Sequence, residues 1–194
     1  MADSTDNSTI IYIRNMVCPR CVAAVRSALE DLGMEVVDVE LGKAAVRGQE
    51  LVSREKINKK LVDLGFELLE GRDQQKVEQI KTYLIEYVHE LEQNQEMPKV
   101  SEYLSEKMHF NYTSLSNLFS VQEDITIEKY LIHLKIERVK ELLSYDELTL
   151  SEIAWRLKYS SVQYLSNQFR QITGMSVTDY KKASDSFRRP LDEL

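Results

Sequence analysis

Apolar and polar positions follow two different rhythms along this chain. Over residues 10–70, short β-branched runs alternate with helical stripes, and beyond residue 76 only the helical rhythm remains. Ile10-Ile11-Tyr12-Ile13 is β-branched and aromatic and predicts a strand. Met16 to Cys21 predicts a loop. Val25, Ala28, Leu29 and Leu32 then recur at helical spacing, with Gly33 as the stop signal. Val36 to Glu40 and Lys43 to Arg47 predict two short strands around a Leu41-Gly42 turn. Glu55 to Leu64 predicts a second helix with Ile57, Leu61 and Leu64 inward, and Phe66 to Leu69 a last strand. The order β-α-β-β-α-β is the ferredoxin-like layout.

The second rhythm begins after the polar stretch Gly71 to Gln75, which reads as a domain boundary. Val77, Ile80, Leu84, Tyr87 and Leu91 form a 3-4-3-4 stripe. Two heptads are fewer than the ~3–4 a coiled coil needs. The stripe therefore predicts the first core helix of a second domain, with a short dimer seam as the other reading. Gln93 to Pro98 is a polar link. The stretch from Ser101 to Phe119 then realigns without a gap on Ser151 to Phe169. Both copies open with Ser-Glu and close with Leu-Ser-Asn-x-Phe. Each reads as a short helix, a tight turn and a second amphipathic helix, the helix-turn-helix pattern. A long helix from about Thr126 to Ser144 joins them. The expected organisation is a disordered tail at 1–9, a ferredoxin-like domain at 10–70, and a linker with a first helix at 71–98. A double helix-turn-helix domain at 99–183 and a tail at 184–194 follow. The fold class is α+β: a β-α-β-β-α-β domain followed by an all-α domain.

The repeat assigns faces. In the second unit Leu165, Phe169 and Ile172 form the inward stripe, and Gln163, Asn167 and Arg170 point the opposite way. In the first unit Leu115, Phe119 and Gln122 take the stripe positions, and Thr113, Asn117 and Ser120 point out. Any surface helix has a solvated polar face, but a register-true repeat of the whole unit favours a working surface. Asn and Gln can bond adenine, Arg guanine, and Ser or Thr a base or a phosphate. Ser160 and Ser161 stand at the N-cap, Ser160 to Gln163 fits a capping box, and Thr149 to Glu152 fits another. Such helix starts also receive phosphates. The expected partner is the major groove of double-stranded DNA, with the second unit carrying most of the sequence preference.

Charge sharpens this reading. The net charge of −7 argues against indiscriminate nucleic-acid binding. Residues 73–98 hold two basic and six acidic side chains, so the helix-turn-helix region itself is nearly balanced. Modest phosphate affinity and a real dependence on base contacts follow. No apolar run approaches the ~20 residues of a membrane span. The first nine residues have no apolar core of a signal peptide, so a cytoplasmic protein is expected. No nucleophile–histidine–acid set, phosphate-cradling glycine loop or pair of catalytic carboxylates stands out, and an enzyme is not expected.

Cys18 and Cys21, the two cysteines, lie between the first strand and the first helix. The helix dipole favours a thiolate there. Two soft sulfurs suit Cu(I) or a similar thiophilic ion, whereas zinc wants four ligands unless two chains share it. The same spacing serves thiol redox chemistry, and either sulfur can pack as a small apolar group. His89, His109 and His133 lie outside this domain and read as surface or core residues.

Two resemblances add to these readings. Residues 76–182 resemble the DNA-binding domain of the AraC family of transcription regulators, on the stretch Leu150 to Tyr180 and above all Phe169-Arg-x-x-Thr-Gly-Met-Ser176. The resemblance implies seven helices with both recognition helices in adjacent major grooves. Lys158-Tyr159 replaces the family's usual Gly-Phe, and the basic residue often found near Asn117 is missing. Residues 10–70 resemble the heavy-metal-associated domain of copper chaperones and copper-transporting ATPases, on Met16, Cys18, Cys21 and Leu64-Gly-Phe66. This implies Cys18 and Cys21 as metal ligands and Met16 as an inward anchor, with Asn15 where that family has Gly. The combined expectation is a DNA-binding regulator in which Cu(I) at the cysteines changes how two protomers associate, with residues 73–98 transmitting the change. Alternatives are a thiol-redox regulator, or one whose first domain docks a metal-carrier protein.

Overall fold

The computed structural model describes residues 8–47 and 52–183. The expected tail at 184–194 lies outside the described residues, as does 1–7 of the amino-terminal one; Thr9 opens the first strand. The chain divides into two compact units, Met1–Thr82 and Tyr83–Leu194.

The first unit runs β1 (Thr9–Arg14), α1 (Pro19–Asp31), β2 (Glu35–Glu40), β3 (Lys43–Arg47), α2 (Arg54–Val62) and β4 (Glu67–Leu69), and includes the start of α3 (Arg72–Gln93). The strands form one sheet in the order β2-β3-β1-β4, every neighbour antiparallel. Period-two patterning sets its faces. Ile11 and Ile13 of β1 are buried while Ile10 is half exposed. With Ala44, Val46 and Leu68 they meet Val25 and Leu29 of α1 and Ile57 and Leu61 of α2. Each such large side chain contributes about 1.5–3 kcal/mol on burial. In β2 the register shifts between Val36 and Asp38, a bulge that leaves Val37 exposed.

Two boundaries differ from expectation. Helix α1 starts at Pro19, not Ala23, because proline suits the first helical position, where its missing N–H is not needed. Leu64, expected inward, is 47% exposed. Helix α2 stops at Val62, Leu61 fills the inner position, and the chain turns through Gly65 at φ +85°.

The second unit holds the end of α3, then α4 (Val100–Met108), α5 (Tyr112–Glu123), α6 (Ile127–Tyr145), α7 (Leu150–Arg156), α8 (Val162–Thr173) and α9 (Val177–Ala183). The stripe Val77, Ile80, Leu84, Tyr87 and Leu91 is buried throughout. The stretch 71–75 that reads as a boundary is helical from Arg72, and the division between units falls within α3. Arg138 of α6 grips Glu92 of α3 with two bonds of 2.6 and 3.1 Å and Glu141 with a third. On the same helix a buried ion pair, Lys140 Nζ to Glu137 Oε1 at 2.6 Å, borders a 190 Å³ cavity that also touches Thr173 and Tyr180.

Lys135 of α6 places its ammonium 4.2 Å from the centre of the Tyr159 ring, a cation–π contact. Burial pushes its pKa down to about 8. The unfolded chain, with an ordinary lysine, binds more protons between that value and about 10.4. Stability from this group is therefore present above the unfolded pKa and lost as pH falls through about 8. We expect urea melts of wild type and Lys135→Met to show the difference. The wild type should gain about 1–3 kcal/mol relative to the variant as pH rises from 7.5 to 10. Parallel profiles would refute the assignment.

Candidate nucleic-acid interface and thiol site

The second helix of each helix-turn-helix unit, α5 and α8, is built by the same local devices. Helix α5 starts at Asn111, whose side chain accepts the Thr113 N–H at 2.9 Å; helix α8 starts at Ser161, whose hydroxyl accepts the Tyr164 N–H at 3.0 Å. Both end in the left-handed region, at Asp124 and Gly174. Leu115 and Phe119 are buried in α5, Leu165 and Phe169 in α8. The likeness reaches further than the literal repeat. Phe119 stands edge-on to Tyr130 at 5.4 Å, and Phe169 stands edge-on to Tyr180 at 5.4 Å. Thr126 caps α6 through the Lys129 N–H, and Ser176 accepts the Asp179 N–H at the start of α9. The repeat thus runs to residues 130 and 180.

Three expectations need correction. Gln122, placed in the buried stripe of α5, is exposed, since an amide so placed would lose its water partners. Its counterpart Ile172 is half buried. The Ser160–Gln163 capping box is absent: Ser161 is the cap, and Gln163 Nε2 instead donates to Asn167 Oδ1 at 2.9 Å. The Thr149–Glu152 box is present, with Thr149 N–H reaching Glu152 Oε2 at 2.7 Å.

Thr113, Asn117, Ser161, Gln163, Asn167 and Arg170 are exposed, and Ser120 is half buried. Gln163, Asn167 and Arg170 border an open groove of about 620 Å³ with Thr178, Lys181 and Lys182 of α9. Lys181 pairs with Asp146 at 2.8 Å. The groove thus carries three cationic side chains beside an amide pair. The bond between Gln163 and Asn167 uses one Gln163 amide N–H and the Asn167 side-chain oxygen, so Gln163 Oε1 and the Asn167 NH2 take no part in it. Adenine offers the complementary N6 donor and N7 acceptor in the major groove. Sequence reasoning missed Lys181, Lys182 and Val121. The lysines close the short last helix, a place where charge alone carries no signal. Val121 lies one turn beyond Asn117 on the same face and is 76% exposed.

The turn before α8 keeps its shape without glycine. Lys158 sits at φ 54°, in the left-handed region, and its Nζ lies 4.8 Å from the Trp155 ring centre. Tyr159 donates to Gln168 Oε1 at 2.9 Å.

At the other site, Cys18 is the N-cap of α1 and Cys21 lies in its first turn. Cys21 N–H donates to the Cys18 carbonyl at 2.9 Å. The two sulfurs are 3.3 Å apart, sharing a thiol hydrogen bond, whereas a disulfide needs about 2.0 Å. Burial pushes the Cys18 thiol up, but hydrogen bonds from Cys21 and Arg20 outweigh it and hold the thiol below its ordinary value. Burial, aided by the bond to Cys18, raises Cys21. Met16 is buried in the core, and Asn15 takes a left-handed φ of 71°. Among the described residues no group of three or more His, Cys, Asp or Glu is placed to hold a metal ion. The donor set is two thiols, which fits a soft, low-coordinate cation and not mononuclear zinc on one chain. No helix among the described residues is long and apolar enough to cross a membrane.

Residues 104–183 match a family model described as a helix-turn-helix domain. The chain is 32% identical over 81 residues to the HTH-type transcriptional activator RhaR of Pectobacterium carotovorum, covering 42% of this chain and 28% of that protein. It is 25% identical over 84 residues to the HTH-type transcriptional activator RhaS of Escherichia coli, covering 43% and 30%. The chain thus spans less than a third of the length of these relatives, both named as transcriptional activators and not as enzymes. Among solved structures, the C-terminal domain of AraT, a response regulator from Geobacillus stearothermophilus, aligns at a TM-score of 0.48 and 23% identity, over 59% of this chain and 89% of that one.

Lys158→Gly should raise stability by about 0–1 kcal/mol, since a left-handed side chain costs about 1–2, while the lost cation–π contact costs about 0.5 and the freer unfolded chain about 0.4–1. Urea denaturation checks the sign; a destabilised variant would mean the Trp155 contact and the freer unfolded chain outweigh the strain.

Proposed function

We propose that residues 104–183, which match the helix-turn-helix domain model, form a DNA-binding domain of the AraC type, and that the chain is a sequence-specific transcription regulator whose effector site is Cys18 and Cys21. The observation that carries the DNA-binding half is the exposed face of α8. Gln163 and Asn167 present a joined amide edge there, and Arg170, Lys181 and Lys182 supply positive charge beside it. Helix α5 presents Thr113, Asn117 and half-buried Ser120 with no charge. It contributes position and shape, and α8 contributes discrimination.

The effector half rests on the two thiols at the start of α1. We assign them to Cu(I) or a similar soft ion, which when bound would draw both sulfurs into thiolate form. The antiparallel sheet, its order and the β-α-β-β-α-β succession support a ferredoxin-like reading of this unit. One observation favours a second reading. The two sulfurs lie 3.3 Å apart at the start of α1, close enough for a small movement to join them as an attacking and a resolving thiol. Cytoplasmic location and a dimer belong to the same proposal, two protomers being the simplest route from effector to promoter occupancy.

The deciding experiment selects binding sites from randomised duplexes with the full chain, with and without Cu(I). On a selected site, Gln163→Ala and Asn167→Ala should each cost roughly 1–3 kcal/mol. Because the two amides act as one edge, the double variant should cost less than the sum. Arg170→Ala should also lower the salt slope if it meets a phosphate. No preference for any sequence over bulk DNA, loaded or empty, would end the proposal. Cu(I) uptake lost in Cys18→Ser and Cys21→Ser supports the metal reading. A reversible Cys18–Cys21 disulfide without uptake supports the redox one.

A further inference from the structure

Helix α3 meets the thiol-bearing loop directly, inside the first unit. Glu78 and Thr82 lie one helical turn apart and are 6% and 7% exposed, two of the few buried polar side chains among the described residues. The Glu78 carboxylate accepts the backbone N–H of Asn15 at 3.1 Å. Asn15 is the left-handed residue that opens the loop to Cys18, and its side-chain amide also donates to the Gly65 carbonyl at 3.1 Å. Thr82 packs on the β2–β3 turn. A Cβ on Gly42 would come within 2.8 Å of Thr82 Oγ1, so there is no slack at that contact. The Gly42 carbonyl in turn accepts the Ile13 N–H at 2.9 Å, two residues before Asn15. Both ends of the clamp therefore converge on the end of β1, from which the loop springs.

These contacts have a physical consequence. A left-handed backbone is a minority conformation even for asparagine, and a buried carboxylate is costly without hydrogen-bond donors. Each feature is held in place by the other: the loop conformation presents the N–H, and the carboxylate holds the loop. Any rearrangement that shifts Asn15 when the thiols are engaged must move or release Glu78. Glu78 and Thr82 both belong to α3, so a change at the loop reaches the first turns of that helix.

We propose that Glu78 is the positioning residue of the thiol site, fixing the loop before Cys18 and converting engagement of the two sulfurs into a change in the first half of α3. This rests on the reading of Cys18 and Cys21 as an effector site and names the element that reads it.

The test is amide hydrogen exchange on the full chain, with two independent probes: Cu(I) under reducing conditions, and diamide oxidation of the thiols. In wild type, at least one probe should change exchange across residues 72–82 by about fivefold or more, the low end of ordinary coupling. In Glu78→Ala the same probe should still react with the thiols while residues 72–82 stay unmoved, and the Asn15 amide should exchange faster even without a probe. Glu78→Gln keeps an acceptor and should restore the response. If Glu78→Ala fails to fold, Thr82→Ala loosens the second contact and should lower the wild-type response by half or more. An unmoved helix in wild type with both probes, or an equal response in wild type and Glu78→Ala, overturns the proposal. Absence of Cu(I) uptake defeats the metal-sensor reading alone, because the diamide arm still decides the role of Glu78. Helix response without any change in DNA affinity defeats the regulatory reading and leaves Glu78 standing.

Discussion

Two tyrosine rings standing edge-on to two phenylalanines set where the second helices of the two helix-turn-helix units point. A twelve-residue helix is marginal by itself in water and takes its order from what it buries. Helix α5 buries Leu115 and Phe119 most completely, and α8 buries Leu165 and Phe169. With so few anchors, the partner of each phenylalanine decides the tilt of its helix. Tyr130 and Tyr180 fill that role at the same 5.4 Å separation, one turn into the helix that follows. An aromatic pair adds about 0.5–1.5 kcal/mol beyond area burial and, unlike two aliphatic groups, prefers a definite angle. Because docking is settled on this inner side, the outer face of each helix is released from packing and is free to carry Thr113 and Asn117 in one copy and Gln163, Asn167 and Arg170 in the other.

The same division explains what could be read from the chain before its structure. The copies from Ser101 and Ser151 share literal residues as far as Phe119 and Phe169, and those positions were legible. The continuation to Tyr130 and Tyr180 is chemical, not literal: Thr126 and Ser176 both cap, Ile127 and Val177 both bury. Gln122 was misplaced because periodicity assigns a position without asking what an amide loses there. Pro19 hid the start of α1, since proline signals a loop and a first helical turn alike. Lys181 and Lys182 gained meaning only when α9 folded beside α8, a relation that no local pattern contains.

Turns tell a related story. His109, Asp124, Asp146 and Lys158 all adopt left-handed backbone without being glycine. Each follows a helix whose end it closes, and flanking caps hold the conformation: Asn111 after His109, Thr126 after Asp124, Thr149 after Asp146, Ser161 after Lys158. The strain at each turn is offset by a hydrogen-bonded start to the next helix. A glycine would relieve the strain but widen the unfolded ensemble, so a lysine in the Gly position changes the balance without changing the turn.

Asn15 belongs to this set by conformation and differs by circumstance. No cap follows it; Cys18, the N-cap of α1, makes no side-chain capping bond. What holds Asn15 comes from elsewhere in the first unit, the Gly65 carbonyl and the Glu78 carboxylate. A left-handed residue braced by its own neighbours is a fixed corner. One braced by a distant helix is a joint, since its conformation and that helix's position are determined together. The acidic character of residues 73–98 then takes on a local meaning. One of those carboxylates is spent on a backbone N–H at the mouth of the thiol loop, and another, Glu92, on Arg138 of the helix that joins the two helix-turn-helix units. Both carboxylates belong to α3, Glu78 to its part in the first unit and Glu92 to its part in the second, and each is held by a partner within its own unit.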